Sequence, residues 1–117
     1  MTPNTTNFER GTVVLVPFFF TDGTSTKNRP ALTLSSTEYQ MSRNEVVIAA
    51  ITSRLRRRLL VGDTRIADWR SSGLIKPSVV TGILWTIKGG MVLRSLGLLS
   101  TRDLMAYERV LSKALAL

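Results

Sequence analysis

The chain has 117 residues, enough for one domain around one hydrophobic core but not for two. It contains no cysteine and no histidine. Disulfides and thiolate metal sites are thereby excluded, together with the usual general base and the commonest zinc ligand. The charge is lopsided, 16 basic against 8 acidic residues for a net +8, and twelve of the basic residues are arginine. Such an excess points either to a polyanionic partner (RNA, DNA or an acidic protein), whose phosphate or carboxylate oxygens suit the guanidinium fork, or to a basic surface with no specific ligand.

Met1 to Asn7 is polar and uncharged and lacks the pattern of a signal peptide. The most apolar run, Val13 to Phe20, is interrupted by Pro17 and is too short to span a bilayer, so a soluble, cytoplasmic protein with no membrane partner is expected. Residues 1–9 read as a flexible tail and residues 10–117 as a single domain. Thr12 to Phe18 is rich in β-branched and aromatic residues and predicts a strand. Thr21 to Thr26 has turn chemistry, and Pro30 to Ser35 predicts a second strand, with proline tolerated as its first residue. Val46 to Thr52 is an almost unbroken apolar run and predicts a strand buried on both faces. A basic loop with Arg54, Arg56, Arg57 and Arg58 leads to a strand around Asp63 to Ile66. Trp69 to Lys76 ends at Pro77 and has room for one helical turn at most. Ser78 to Ile87 is strand-like, Gly89-Gly90 is a turn, and Met91 to Leu96 predicts a last short strand.

The carboxyl end changes period. Ser100 is a helix cap with Asp103 in the first turn, and Leu104, Tyr107, Leu111 and Ala114 then fall on one face. Short strands followed by one terminal helix predict a mainly β fold, a small antiparallel barrel or sheet with the helix packed on it.

No phosphate-binding loop, dinucleotide fingerprint or metal-ligand spacing is present, so neither a cofactor nor a metal is expected. The acidic residues are scattered, and no pair forms a glycosidase dyad or a two-metal site. An enzyme built from this chain works with Arg, Lys, Thr, Ser, Tyr, Asp or Glu.

Four ordered blocks carry a resemblance. They are Gly11-Thr12-Val13-Val14-Leu15-Val16-Pro17 with Arg29-Pro30-Ala31-Leu32; Val47 to Ser53; Asp68-Trp69 with Gly73 to Val80; and Leu96-Gly97-Leu98-Leu99-Ser100 before the helix. In order and spacing the chain resembles the MazF/PemK toxins of type II toxin–antitoxin systems. The resemblance implies the fold shared with CcdB, an SH3-like barrel with a C-terminal helix. It also implies a homodimer, an acidic antitoxin that occupies the RNA groove, and metal-independent cleavage of single-stranded RNA. The arginine before the proline and the threonine ending the third strand are the family's functional pair, which by position are Arg29 and Thr52.

Metal-free RNA cleavage uses the 2′-OH as nucleophile and needs stabilisation of the extra phosphate charge. A guanidinium suits that task and is unsuited to be a base, because it keeps its proton at ordinary pH. Thr52 can hydrogen-bond a phosphate oxygen or orient the 2′-OH. The proton acceptor is either solvent or a carboxylate such as Asp68. Lys27, Ser53, Arg54, Arg56, Arg57, Arg58, Lys76 and Lys88 are the candidate RNA-binding residues, although a solvated basic face is an equal reading of the arginine cluster. Trp69 and Trp85 read as core or interface residues rather than base-stacking platforms. Leu84 to Met91 is more apolar than the family's segment there, leaving cleavage specificity open. Two other readings stay open: a non-nucleolytic, gyrase-binding toxin of the same fold, and an inactive basic interaction module.

Overall fold

The computed structural model describes residues 7–19, 26–55 and 58–117. Six strands form one antiparallel sheet: β1 (Thr12–Phe19), β2 (Thr26–Thr33), β3 (Glu45–Thr52), β4 (Thr64–Arg65), β5 (Val79–Lys88) and β6 (Arg94–Leu98), in the order β4-β5-β3-β2-β1-β6. Helix α1 (Thr37–Arg43) joins β2 to β3, and α2 (Thr101–Ala114) closes the chain. The expected fold class, a mainly β barrel-like sheet with a C-terminal helix, is the one observed.

The sheet curls, leaving β4 and β6 as its two edges. The turns at 67–73 bridge them through close backbone packing. A Cβ on Gly73, whose φ is +86°, would lie 2.0 Å from the Leu96 carbonyl oxygen, and one on Gly97 would lie 2.5 Å from that of Ser72. Only glycine fits either position, so this clasp depends on two glycines that stand in the third and fourth blocks of the resemblance. Its other anchor is Asp103. The carboxylate, in the first turn of α2 as expected, also accepts the N–H groups of Ala67 (2.9 Å) and Asp68 (2.8 Å). Ser100 caps α2 as expected, its hydroxyl accepting the Asp103 N–H at 3.3 Å.

The central strand β3 buries both faces, as its apolar run predicts. Ala49 and Ile51 join the cluster of Val13, Leu32, Val80, Leu99 and Tyr107 beneath α2. Val46 and Ile48 join Val14, Val16, Phe18 and Ala31 on the other face. This period-2 alternation assigns each side chain to one of two cores.

Three features depart from expectation. The short helix α1 has no long apolar stripe to announce it; its signals are the Ser36 cap and Glu38 in the first turn. Strand β2 begins at Thr26, so Pro30 lies inside it rather than at its start. Pairing with β3 begins only at Ala31, and pairing of β1 with β6 ends at Leu15, so the hairpin arm carrying Pro17 and Pro30 has one ladder and tolerates both. Phe8, expected in the loose tail, is tied to buried Gln40: its N–H donates to Oε1 and its carbonyl accepts from Nε2, both at 2.7 Å. Residues 1–6 of that tail lie outside the described residues. Among the described residues no helix is long and apolar enough to cross a membrane.

Candidate nucleic-acid cleft

A cavity of about 510 Å³ opens where the hairpin arm, the end of β3, the segment that follows it and β5 meet. Its first wall comes from register. Ala31 pairs with Ala50 and Leu32 with Ala49; Arg29 and Thr52 each lie two residues beyond the Ala31–Ala50 pair, at the same end of the two strands. Both are half-buried and both line the cavity. Strand alternation puts them on the face of Val16, Phe18 and Ile48, away from α2. The Thr52 hydroxyl accepts the Arg54 N–H at 3.1 Å, which leaves its O–H to donate.

The opposite wall is an irregularity in β5. Between the pairs Ala49↔Leu84 and Ile51↔Val80, β3 advances two residues and β5 four. The surplus, Thr81 to Ile83, bulges from the ladder opposite Ala50 and lines the cavity. Thr81 replaces the lost ladder bonds with its side chain, donating to the Ala50 carbonyl (2.8 Å) and accepting the Ile83 N–H (3.2 Å). From α2, the fully buried Tyr107 donates its hydroxyl to the Thr81 carbonyl at 2.7 Å. Burial pushes the Tyr107 hydroxyl up to about 12, so it remains a donor across the physiological range. Gly62, at φ +98°, lets the turn at 60–63 pack on the bulge; a Cβ there would sit 2.9 Å from the Gly82 Cα.

The lining is electropositive. Arg29, Arg54, Arg58 and Arg65 stand around the cavity, with Phe18, Leu59 and Ile83 as apolar wall. Among the described residues the one carboxylate on the lining is Asp63, whose oxygens accept the N–H groups of Leu60 (2.9 Å) and Gly82 (3.2 Å). Such a pocket, part apolar and ringed by guanidinium groups, suits a base and the phosphates flanking it.

The candidate residues divide into groups. Arg29, Thr52, Arg54 and Arg58 come together on the cavity. Lys27 is exposed two residues from Arg29 on the same arm, and Ser53 is exposed next to Thr52. Arg56 and Arg57 lie outside the described residues. Lys76 is exposed in the loop before β5 and does not line the cavity. Lys88 pairs with Glu45 at the far end of β3 from Thr52, roughly 20 Å away at the usual strand rise. Asp68 is also absent from the lining. It makes a two-pronged ion pair with Arg102 (2.8 Å each), and that bond, aided by Ser100, holds its carboxyl down at about 2. A carboxylate so committed is a weak proton acceptor.

Arg65 and Asp63 were not singled out from the sequence. Alternation with the buried Ile66 marks Arg65 as outward-facing, but only the pairing of β4 with β5 brings it to the cavity. Trp69 packs half-buried against the core under α2 with the Arg70 guanidinium 4.8 Å from its ring centre. Trp85 is 40% exposed and leans on Phe18, ring centres 4.7 Å apart, beside the cavity rather than in a core.

Solved structures with the same fold include the Mycobacterium tuberculosis toxin MazF-mt6, at 24% identity, a TM-score of 0.72 and coverage of 91% of this chain and 97% of that one. MazF from Deinococcus radiodurans has 17% identity and a TM-score of 0.75, with 97% and 100% covered. An endoribonuclease in complex with its cognate antitoxin, from a mycobacterial species, has 18% identity and a TM-score of 0.74, with 93% and 95% covered. No curated protein sequence matches the chain. The sequence profile of the PemK-like, MazF-like toxins of type II toxin–antitoxin systems matches residues 9–115, nearly the whole fold, and the chain belongs to that family.

Proposed function

We propose that this toxin is a metal-independent endoribonuclease that cuts single-stranded RNA in the cytoplasm. The observation that carries the reading is the juxtaposition of Arg29 and Thr52 on the wall of an arginine-lined cavity. The 2′-OH attacks the adjacent phosphorus, the bond from phosphorus to the 5′ oxygen breaks, and a 2′,3′-cyclic phosphate and a free 5′-OH result. Arg29 stabilises the charge that gathers on the phosphate oxygens, and its guanidinium N–H donates toward the leaving 5′ oxygen as that oxygen takes up its proton. Thr52 donates its O–H to a phosphate oxygen. The 2′-OH proton passes to solvent rather than to Asp68, whose carboxylate is engaged with Arg102.

Arg54, Arg58 and Arg65 track the RNA backbone, with Lys27 and Ser53 extending the same basic end. Lys76 and Lys88 stand apart and take no part in this reading. The solved complexes of similar toxins with antitoxins support a second partner, an acidic antitoxin that competes for the cavity of this +8 chain. The apolar strip of Ile83 and Trp85, 57% and 40% exposed, supports a homodimer that covers it.

Incubation with a defined single-stranded RNA in EDTA, followed by mapping of the ends, tests the reading. Cut RNA bearing 2′,3′-cyclic phosphate is expected. Intact RNA overturns it, and trapping of gyrase on DNA by the same preparation would replace it with the poison of the same fold.

A further inference from the structure

Tyr107 has no place in the chemistry above, yet its hydroxyl reaches from α2 to the sheet beneath the cleft. It meets β5 at the first residue of the bulge, donating to the Thr81 carbonyl at 2.7 Å. The bulge is where a strand wall is softest, because ladder bonds are missing there. Here the Thr81 hydroxyl and the Gly82 N–H, bonded to Ala50 and Asp63, replace part of that ladder from within the cleft. The tie from Tyr107 comes from behind the wall and anchors it to the helix.

We propose that Tyr107 is a positioning residue: through Thr81 it sets the distance between the β5 wall and the pair Arg29 and Thr52, and so the alignment of the RNA phosphate with its 2′-OH. This rests on the cleavage reading above. Misplacement of a substrate by about 1 Å can cost on the order of a hundredfold in rate. A wall displaced by fractions of that distance costs turnover before it costs binding, because the arginines that hold the backbone stand on other segments.

The test uses the full chain with Tyr107→Phe, which keeps the ring and removes the donor, and with Thr81→Val and Thr81→Ser, of which only the second keeps a hydroxyl. Val46→Ala, in the cluster that Tyr107 does not join and at the end of β3 far from Thr52, serves as a destabilised control. Single-turnover cleavage, KM and amide hydrogen exchange at Gly82 and Ile83 are measured well below each melting temperature. Expected are at least a tenfold fall in kcat for Tyr107→Phe and Thr81→Val with KM within about twofold. Faster exchange at both amides, near-normal cleavage by Thr81→Ser, and unchanged kcat for Val46→Ala complete the expectation. Cleavage by Tyr107→Phe at the wild-type rate overturns the proposal, as does a Val46→Ala loss of the same size or unchanged exchange at both amides. Wild-type protein that leaves RNA intact overturns the cleavage reading and the catalytic part of this proposal together. In that case the exchange data still decide whether Tyr107 holds the wall.

Discussion

Arg29→Ala removes a half-buried arginine that shares a cavity wall with Thr52, and the size of the effect follows from where that charge stood. Among the described residues three further arginines line the cavity, so RNA binding survives the substitution. What disappears is the group assigned to the charge of the reacting phosphate. Removing one well-aimed donor from a comparable anion-stabilising site costs about 10²–10³ in kcat, or about 3–4 kcal/mol of barrier. Arg29→Lys keeps the charge but loses the planar fork, and it recovers only part of that rate. Thr52→Val costs less alone. In the double variant Arg29→Ala/Thr52→Val the loss is smaller than the sum of the singles, because both act on one phosphate. The assay is single-turnover cleavage of a short fluorescent RNA in EDTA, with a melting curve for each variant to exclude unfolding. Cleavage by Arg29→Ala within threefold of wild type, or strict additivity in the double variant, would refute the assignment of these two residues to one site.

Arg54→Ala/Arg58→Ala weakens RNA binding and flattens its salt dependence, by about 0.7 in slope for each single-strand phosphate that is no longer neutralised; filter binding across a salt series checks it, and an unchanged slope places both residues outside the RNA path. The Asp68 carboxyl, held at about 2 by Arg102 against an ordinary 3.8, adds stability that is fully present above pH about 4 and is lost as pH falls toward 2; Asp68→Asn removes that part of the pH dependence of the melting temperature and leaves cleavage intact. At the alkaline end Tyr107 acts in the opposite sense: its unfolded phenol ionises near 10 and its folded one near 12, so stability falls as pH rises through that window, and Tyr107→Phe flattens the fall. Gly73→Ala forces a side chain into the Leu96 carbonyl at a positive φ and costs at least ~2 kcal/mol in urea unfolding; a smaller loss would mean that the clasp between 67–73 and β6 yields easily.

Period and punctuation determined much of this molecule before any tertiary contact was considered. The unbroken apolar run of Val46 to Ile51, short and rich in β-branched residues, predicts a strand with two buried faces, and the structure gives each face its own cluster. Ser100 followed by a 3.6-residue period specifies α2 because capping and amphipathicity are local properties. The candidate residues Arg29 and Thr52 were also legible, through the order of four short blocks along the chain. Tertiary structure decided what depends on pairing between distant segments. Strand register brought Arg29 and Thr52 to one cavity, and the two-residue surplus of β5 over β3 opened a wall whose Thr81 carbonyl accepts the Tyr107 hydroxyl. The same pairing brought Arg65 to the cavity, while Lys88 ended at the far end of the sheet and Asp68 in an ion pair with Arg102. A charge in a sequence has a sign but no address. Its address comes from register and closure, which are fixed by the burial of side chains far from it in the chain.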